Sequence, residues 1–180
     1  MKSLCVFCGS NAGNHPRYLE TARTLGTLLA RRHCTLVYGG GRVGLMGAVA
    51  DAALQEGGRV VGVIPQLLLD KEVGHAGLTE LHVVQTMAQR KQLMGDLSDA
   101  FLTLPGGIGT MDELFEAWTW TQLDLHRKPC GLLNQAGYYD PLIAFIERCQ
   151  AEGFLRPRHA SGLLIDSELE PLVERLAAAC

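Results

Sequence analysis

Residues 100–118 read AFLTLPGGIGTMDELFEAW, and this stretch decides the fold. Ala100 to Leu104 is a short apolar run, as expected of a strand buried on both faces. Pro105-Gly106-Gly107 stops it, and a helical pattern follows from Met111 to Leu125. The same unit recurs outward in both directions. Upstream lie expected strands at 4–9, 35–38, 60–64 and 81–84, with helices at 16–31, 45–55 and 87–97 between and after them. Downstream lie strands at 130–133 and 163–165, with helices at 141–152 and 168–178. Residues 66–80 carry no regular pattern and read as irregular chain. Apolar strands spaced by helices form a parallel sheet covered on both sides. The expectation is therefore an α/β fold: one Rossmann-like, doubly wound parallel sheet with helices on both faces. A single domain accounts for residues 1–180. In such sheets ligands bind outside the carboxyl ends of the strands.

Bulk composition narrows the function classes. Of 180 residues, 47% are hydrophobic and 19% charged, which argues against disorder. The net charge of -3, with basic residues scattered, points to no nucleic-acid or membrane surface. The longest apolar run, VVGVIPQLLL, is broken by Gly62 and Pro65. The first residues lack the pattern of a secretory leader, so a cytoplasmic location is expected. Cys5 and Cys8 form a C-x-x-C, but on a strand their odd separation sends them to opposite faces. No cysteine or histidine spacing fits zinc, so free buried thiols and no metal are expected.

Three glycine loops follow expected strands: CGSNAG (8–13), YGGGRVGLMG (38–47) and LPGGIGT (104–110). A loop that opens a helix offers free N–H groups and the positive end of the helix dipole, both suited to phosphate. Thr110 adds a hydroxyl. Gly39, Gly41 and Gly44 approach a dinucleotide fingerprint, but they follow the second strand, and no acidic ribose partner stands after the next one. No G-K-S/T follows, so this is no Walker loop. Asp112 and Glu113 are expected in the first turn of the helix. The dipole there stabilises an acid by ~0.3–1 kcal/mol.

LPGGIGTMDE (104–113), preceded by TMAQRKQLM (86–94), resembles the PGGxGTxxE and M-x-x-RK motifs of the Lonely Guy (LOG) family, the cytokinin riboside 5′-monophosphate phosphoribohydrolases. The likeness extends to the CGS start, the YGGG loop, EGGRVVGVIP and WTWTQLDLHRKPCGLLN. It implies hydrolysis of the N-glycosidic bond of a nucleoside 5′-monophosphate, with Arg90 and Glu113 catalytic. It further implies substrate contacts at Glu72, Met87, Lys91, Gly106, Gly107, Ile108, Gly109, Thr110 and Thr119. Ser10, Gly40 and Gly41 would shape the pocket. A homodimer is implied, with the helix carrying Trp118 and Trp120 near its interface, and no cofactor. Many members carry the label lysine decarboxylase, yet no lysine here stands out as a pyridoxal phosphate anchor. The chain departs from the family pattern at Asn11, Ile108 and Asp112, which bears on base preference rather than on the reaction.

Cleaving a base–ribose bond builds positive charge on the sugar, which a carboxylate stabilises while it aligns or deprotonates water. Glu113 is the candidate; beside Arg90 and a helix N-terminus, a low pKa is expected. The loops at 39–41 and 106–110 would hold the phosphate, so a nucleoside without one should be a poor substrate. His75, His82 and His126 read as structural or surface groups. The competing readings are a non-catalytic nucleotide-binding protein on the same fold and an NAD-dependent oxidoreductase.

Overall fold

A computed structural model describes residues 1–72 and 74–180, the side chain of Glu72 excepted. The described residues form seven strands and eight α-helices. The strands are β1 (Ser3–Phe7), β2 (Thr35–Tyr38), β3 (Val60–Pro65), β4 (Glu80–Val84), β5 (Ala100–Thr103), β6 (Cys130–Leu133) and β7 (Leu163–Asp166). The helices are α1 (Pro16–Arg31), α2 (Gly44–Gln55), α3 (Gln66–Glu72), α4 (Met87–Asp96), α5 (Ile108–Gln122), α6 (Asp140–Ala151), α7 (Pro157–Ala160) and α8 (Leu169–Ala179). One sheet in the order β4-β3-β2-β1-β5-β6-β7 carries them, every pairing parallel.

Period-two alternation along the strands divides the core into two layers. Leu4, Val6, Leu36, Tyr38 and Leu102 face one layer, where α1, α2 and α8 contribute Leu25, Leu29, Val49, Ala53, Leu172 and Leu176. Cys5, Phe7, Val37 and Phe101 face the other, with Met94 of α4, Leu114 and Trp118 of α5 and Ile146 of α6. Cys5 and Cys8 fall in opposite layers, as their spacing requires, and both thiols are free.

The chain runs outward from β1 to β4 and then returns to place β5 on β1's other side. Phe7 pairs with Thr103 at the last rung. The loops after β1 and β5 therefore leave the sheet toward opposite layers, and a crevice opens between them.

Three elements depart from expectation, one of them the short helix α7 (Pro157–Ala160), which falls where the sequence suggested no element. Residues 66–72 are helical: Pro65 ends β3, and Gln66 bonds Asp70 one turn on at 2.9 Å. Three successive leucines hide any periodicity there. Helix α5 begins at Ile108, three residues early, with Gly107 as its cap and Met111 N–H closing the first turn on the Gly107 carbonyl at 3.1 Å. Asp112 and Glu113 consequently sit in the second turn, where they do not cap the helix.

Candidate active site

A cleft of about 560 Å³ occupies the crevice between the β1 and β5 loops. Ser10, Asn11 and Gly13 form one wall, and Pro105 to Thr110 with Glu113 form the opposite one. Leu45, Met46, Leu68, Met87 and Arg90 close one side, and Tyr18 and Tyr138 also line it. The two loops are stitched together by Gly9 N–H donating to the Pro105 carbonyl at 3.2 Å.

The N-terminus of α5 faces this space. Gly107 supplies no side-chain cap, so the first helical N–H groups, from Ile108 to Thr110, lack an intrahelical acceptor. That is the arrangement that receives an anion. Thr110 is buried, and its Oγ lies where a Cβ on Gly106 would fall, so residue 106 accommodates only glycine without displacing that hydroxyl.

Arg90, 5% exposed, is built into the protein rather than left on a helix surface. Its Nε donates to the Val63 carbonyl at 3.1 Å and its Nη2 to the Gly39 carbonyl at 2.8 Å. The end of α4 thereby grips the carboxyl ends of β2 and β3. Nη1 lies 3.8 Å from Met87 Sδ, on the cleft side, and keeps donor capacity for a ligand. Thr86 fixes the start of α4 by a reciprocal capping box with Gln89. A Cβ on Gly39 would overlap the Arg90 guanidinium, so that glycine gives the arginine its seat.

Glu113 makes no ion pair with Arg90 within 4 Å, and the expected low pKa is reversed. Burial pushes its carboxyl up to about 7, outweighing the opposing pull of Arg90, with Asp112 adding to the rise. Neighbouring Asp112 points elsewhere and holds Lys91 at 3.0 Å, while Glu116 holds the same amine at 2.7 Å. Burial pulls the Lys91 pKa down, but these two carboxylates prevail and raise it.

Of the residues singled out in the sequence, Ser10, Met87, Arg90, Gly106, Gly107, Ile108, Gly109, Thr110 and Glu113 converge on the cleft. Lys91 and Thr119 lie off it, and Glu72's side chain falls outside the described residues. Gly40 and Gly41 also lie off it. The Gly40 carbonyl accepts from His75 N–H at 3.0 Å, and Gly41 bridges to Gly74. The glycines at 39–41 thus receive Arg90 and the chain after α3, while Leu45 and Met46 at the end of the same stretch reach the cleft. His75 itself is held by Asp51 at 2.9 Å. Sequence reading passed over Tyr18, Tyr138, Leu45, Met46 and Leu68. Tyr138 had a signal: it follows the carboxyl end of β6, two strands from the crevice. Leu68 was lost with the unrecognised helix.

Comparison with known proteins gives the family. A family model described as "possible lysine decarboxylase" matches residues 46–176. A cytokinin riboside 5′-monophosphate phosphoribohydrolase of Rhodococcoides fascians is 51% identical over 94% of this chain and 86% of its own length. The chain belongs to the Lonely Guy (LOG) family. A member of the family from Arabidopsis thaliana, bearing the same enzyme name, is 46% identical over 97% of this chain and 82% of its own. Among solved structures, the molybdenum cofactor carrier protein of Chlamydomonas reinhardtii aligns with a TM-score of 0.73 at 19% identity, covering 98% of both chains. At that identity the likeness shows the fold alone.

The decarboxylase label on the LOG family model finds no matching chemistry here. A pyridoxal enzyme needs a lysine amine in its cleft, able to lose its proton. The chain has four lysines, at 2, 71, 91 and 128, and none lines the cleft. Lys91, the one beside Arg90, is held charged by Asp112 and Glu116. Cys8 reaches the cleft, but burial raises its thiol pKa far above neutrality, which leaves it a poor nucleophile.

Proposed function

We propose that this protein hydrolyses the N-glycosidic bond of adenosine 5′-monophosphate and its N6-substituted forms, the cytokinin riboside 5′-monophosphates, releasing free base and ribose 5-phosphate. The observation that carries the reading is one cleft lined by an uncapped helix N-terminus, a buried arginine and a carboxyl group pushed up to about 7. The names of the close relatives support the same chemistry.

The phosphate sits on the N–H groups of Ile108, Gly109 and Thr110, with the Thr110 hydroxyl beside it. That anchor positions the ribose against Glu113, one turn further along α5. Glu113 takes a proton from water as the water oxygen attacks the anomeric carbon, the C–N bonding pair leaves with the base, and exchange with solvent returns that proton to the base and Glu113 to its carboxylate. A pKa near the working pH suits this base role better than the permanently ionised carboxylate first expected. Arg90, fixed by two backbone carbonyls, turns its remaining N–H groups to the ribose or phosphate. Ser10 and Met87 complete the contacts.

The reading includes a homodimer in the cytoplasm. Phe115, Leu123 and Leu125 leave an apolar flank on and just beyond α5, the last two 60% and 68% exposed. The buried free thiols suit a reducing compartment.

The test is chromatography of AMP, isopentenyladenosine 5′-monophosphate and adenosine after incubation with the protein. Base and ribose 5-phosphate should appear from the nucleotides, and base from adenosine far more slowly. Equal rates with adenosine would contradict the phosphate anchor. Binding of AMP with no cleavage would leave a nucleotide-binding protein instead.

A further inference from the structure

The segment Asn134-Gln135-Ala136-Gly137-Tyr138-Tyr139, which leads from β6 into α6 at Asp140, brings Tyr138 to the cleft but none of the catalytic or substrate-binding groups assigned above, yet it is built tightly. Asn134 Oδ1 accepts from Tyr139 N–H at 2.7 Å and its Nδ2 donates to Asp140 at 2.7 Å. Gln135 donates to Thr21 of α1 at 2.6 Å. Ala136 is held at φ 51°, a left-handed conformation that a non-glycine residue adopts only when its surroundings enforce it. This turn delivers two successive tyrosine hydroxyls to the loop after β5. Tyr139 donates to the Leu104 carbonyl at 2.8 Å and Tyr138 to the Gly106 carbonyl at 2.7 Å.

These bonds complete a pattern along the loop. The Pro105 carbonyl accepts from Gly9 N–H and the Gly107 carbonyl from Met111 N–H, so all four carbonyls from Leu104 to Gly107 are engaged by protein donors. A peptide plane whose carbonyl is tied down on one side presents its N–H on the other: the Gly106 carbonyl is paired in this way with Gly107 N–H and the Gly107 carbonyl with Ile108 N–H, whereas the plane after Leu104 ends in Pro105 and has no N–H. A carbonyl free to turn toward the cleft would repel a phosphate oxygen.

We infer that Tyr138 is a positioning residue that locks the Gly106–Gly107 peptide of the phosphate loop with its N–H as a donor and so sets the loop's selectivity for a dianionic ester, while Tyr139, through the Leu104 carbonyl, fixes the path of the chain into that loop. This rests on the nucleotide reading above. Tyr138 is the informative member: it is 42% exposed, and its ring also packs edge-on against Tyr18, a contact that phenylalanine retains. Losing its hydroxyl frees the Gly106 carbonyl without opening a buried void. Tyr139 acts from the buried side.

The experiment is calorimetric binding of ribose 5-phosphate to the native protein, Tyr138→Phe and Tyr139→Phe, alongside AMP kinetics and melting temperatures. Tyr138→Phe should melt with the native protein, bind ribose 5-phosphate roughly tenfold more weakly, as expected for about one hydrogen bond, and raise KM for AMP similarly while kcat holds. Affinity for adenine, which lacks the phosphate, should not change. A Tyr138→Phe variant that binds ribose 5-phosphate like the native protein overturns the inference, as does an equal loss for adenine. If Tyr139→Phe fails to fold, the Tyr138 comparison decides alone. Native protein that binds no ribose 5-phosphate at all removes the nucleotide reading and this inference together, a result distinct from an unchanged ratio.

Discussion

A carboxyl group that burial pushes up to about 7 responds to pH in two separable ways. With the ionised form active, kcat/KM should rise with pH and level above about 7, the value to which burial pushes Glu113. Stability should move the other way. The ordinary value is 4.5, so between 4.5 and about 7 the folded protein holds a proton that the unfolded chain has lost. Folding stability contributed by that proton is complete below 4.5 and lost as pH rises through about 7. Glu113→Gln removes the titration. Its stability relative to the native protein, followed by urea unfolding, should climb across that window and then level. A difference independent of pH would show that the carboxyl is not held up by its surroundings.

The elements around Arg90 carry a sharper test of architecture. Arg90 on α4 spans the ends of β2 and β3 because Gly39 leaves room for its guanidinium. Gly39→Ala should displace that group, lower stability by about 1–3 kcal/mol as overpacking does, and reduce kcat more than the stability change explains. Denaturant unfolding and initial rates would check both. The parallel strands and amphipathic helices were legible in the sequence because β1, β2, β5 and β6 are short, apolar and punctuated by glycine or proline. The start of α5 was misread because Pro-Gly-Gly and Gly109 mimic loop, whereas a first helical turn without internal bonds tolerates them. The seat that Gly39 gives Arg90 was hidden for another reason. Glycine marks close approach, and a sequence does not say whether a phosphate, an arginine or another strand makes that approach. The rise in Glu113's pKa was equally hidden, because its cause is burial and the sequence showed only the nearby arginine.

At the scale of the whole molecule, the strand order creates one switch point, and the cleft lies there. Its walls come from chain segments far apart in sequence, so the cleft exists only in the folded sheet. The apolar flank at Phe115, Leu123 and Leu125 lies beyond the cleft. Sedimentation equilibrium should give twice the 19.5 kDa chain mass, and Leu125→Asp should shift the protein toward the single chain. Native protein sedimenting as a single chain would contradict the dimer.

Whether Glu113 in this cleft drives cleavage of the base–ribose bond is decided by base release from AMP in native protein and Glu113→Gln. Adenine and ribose 5-phosphate should appear in equal amounts from the native protein, and nearly all release should be lost in a variant that still binds AMP. A Glu113→Gln protein that releases adenine at the native rate would contradict that role.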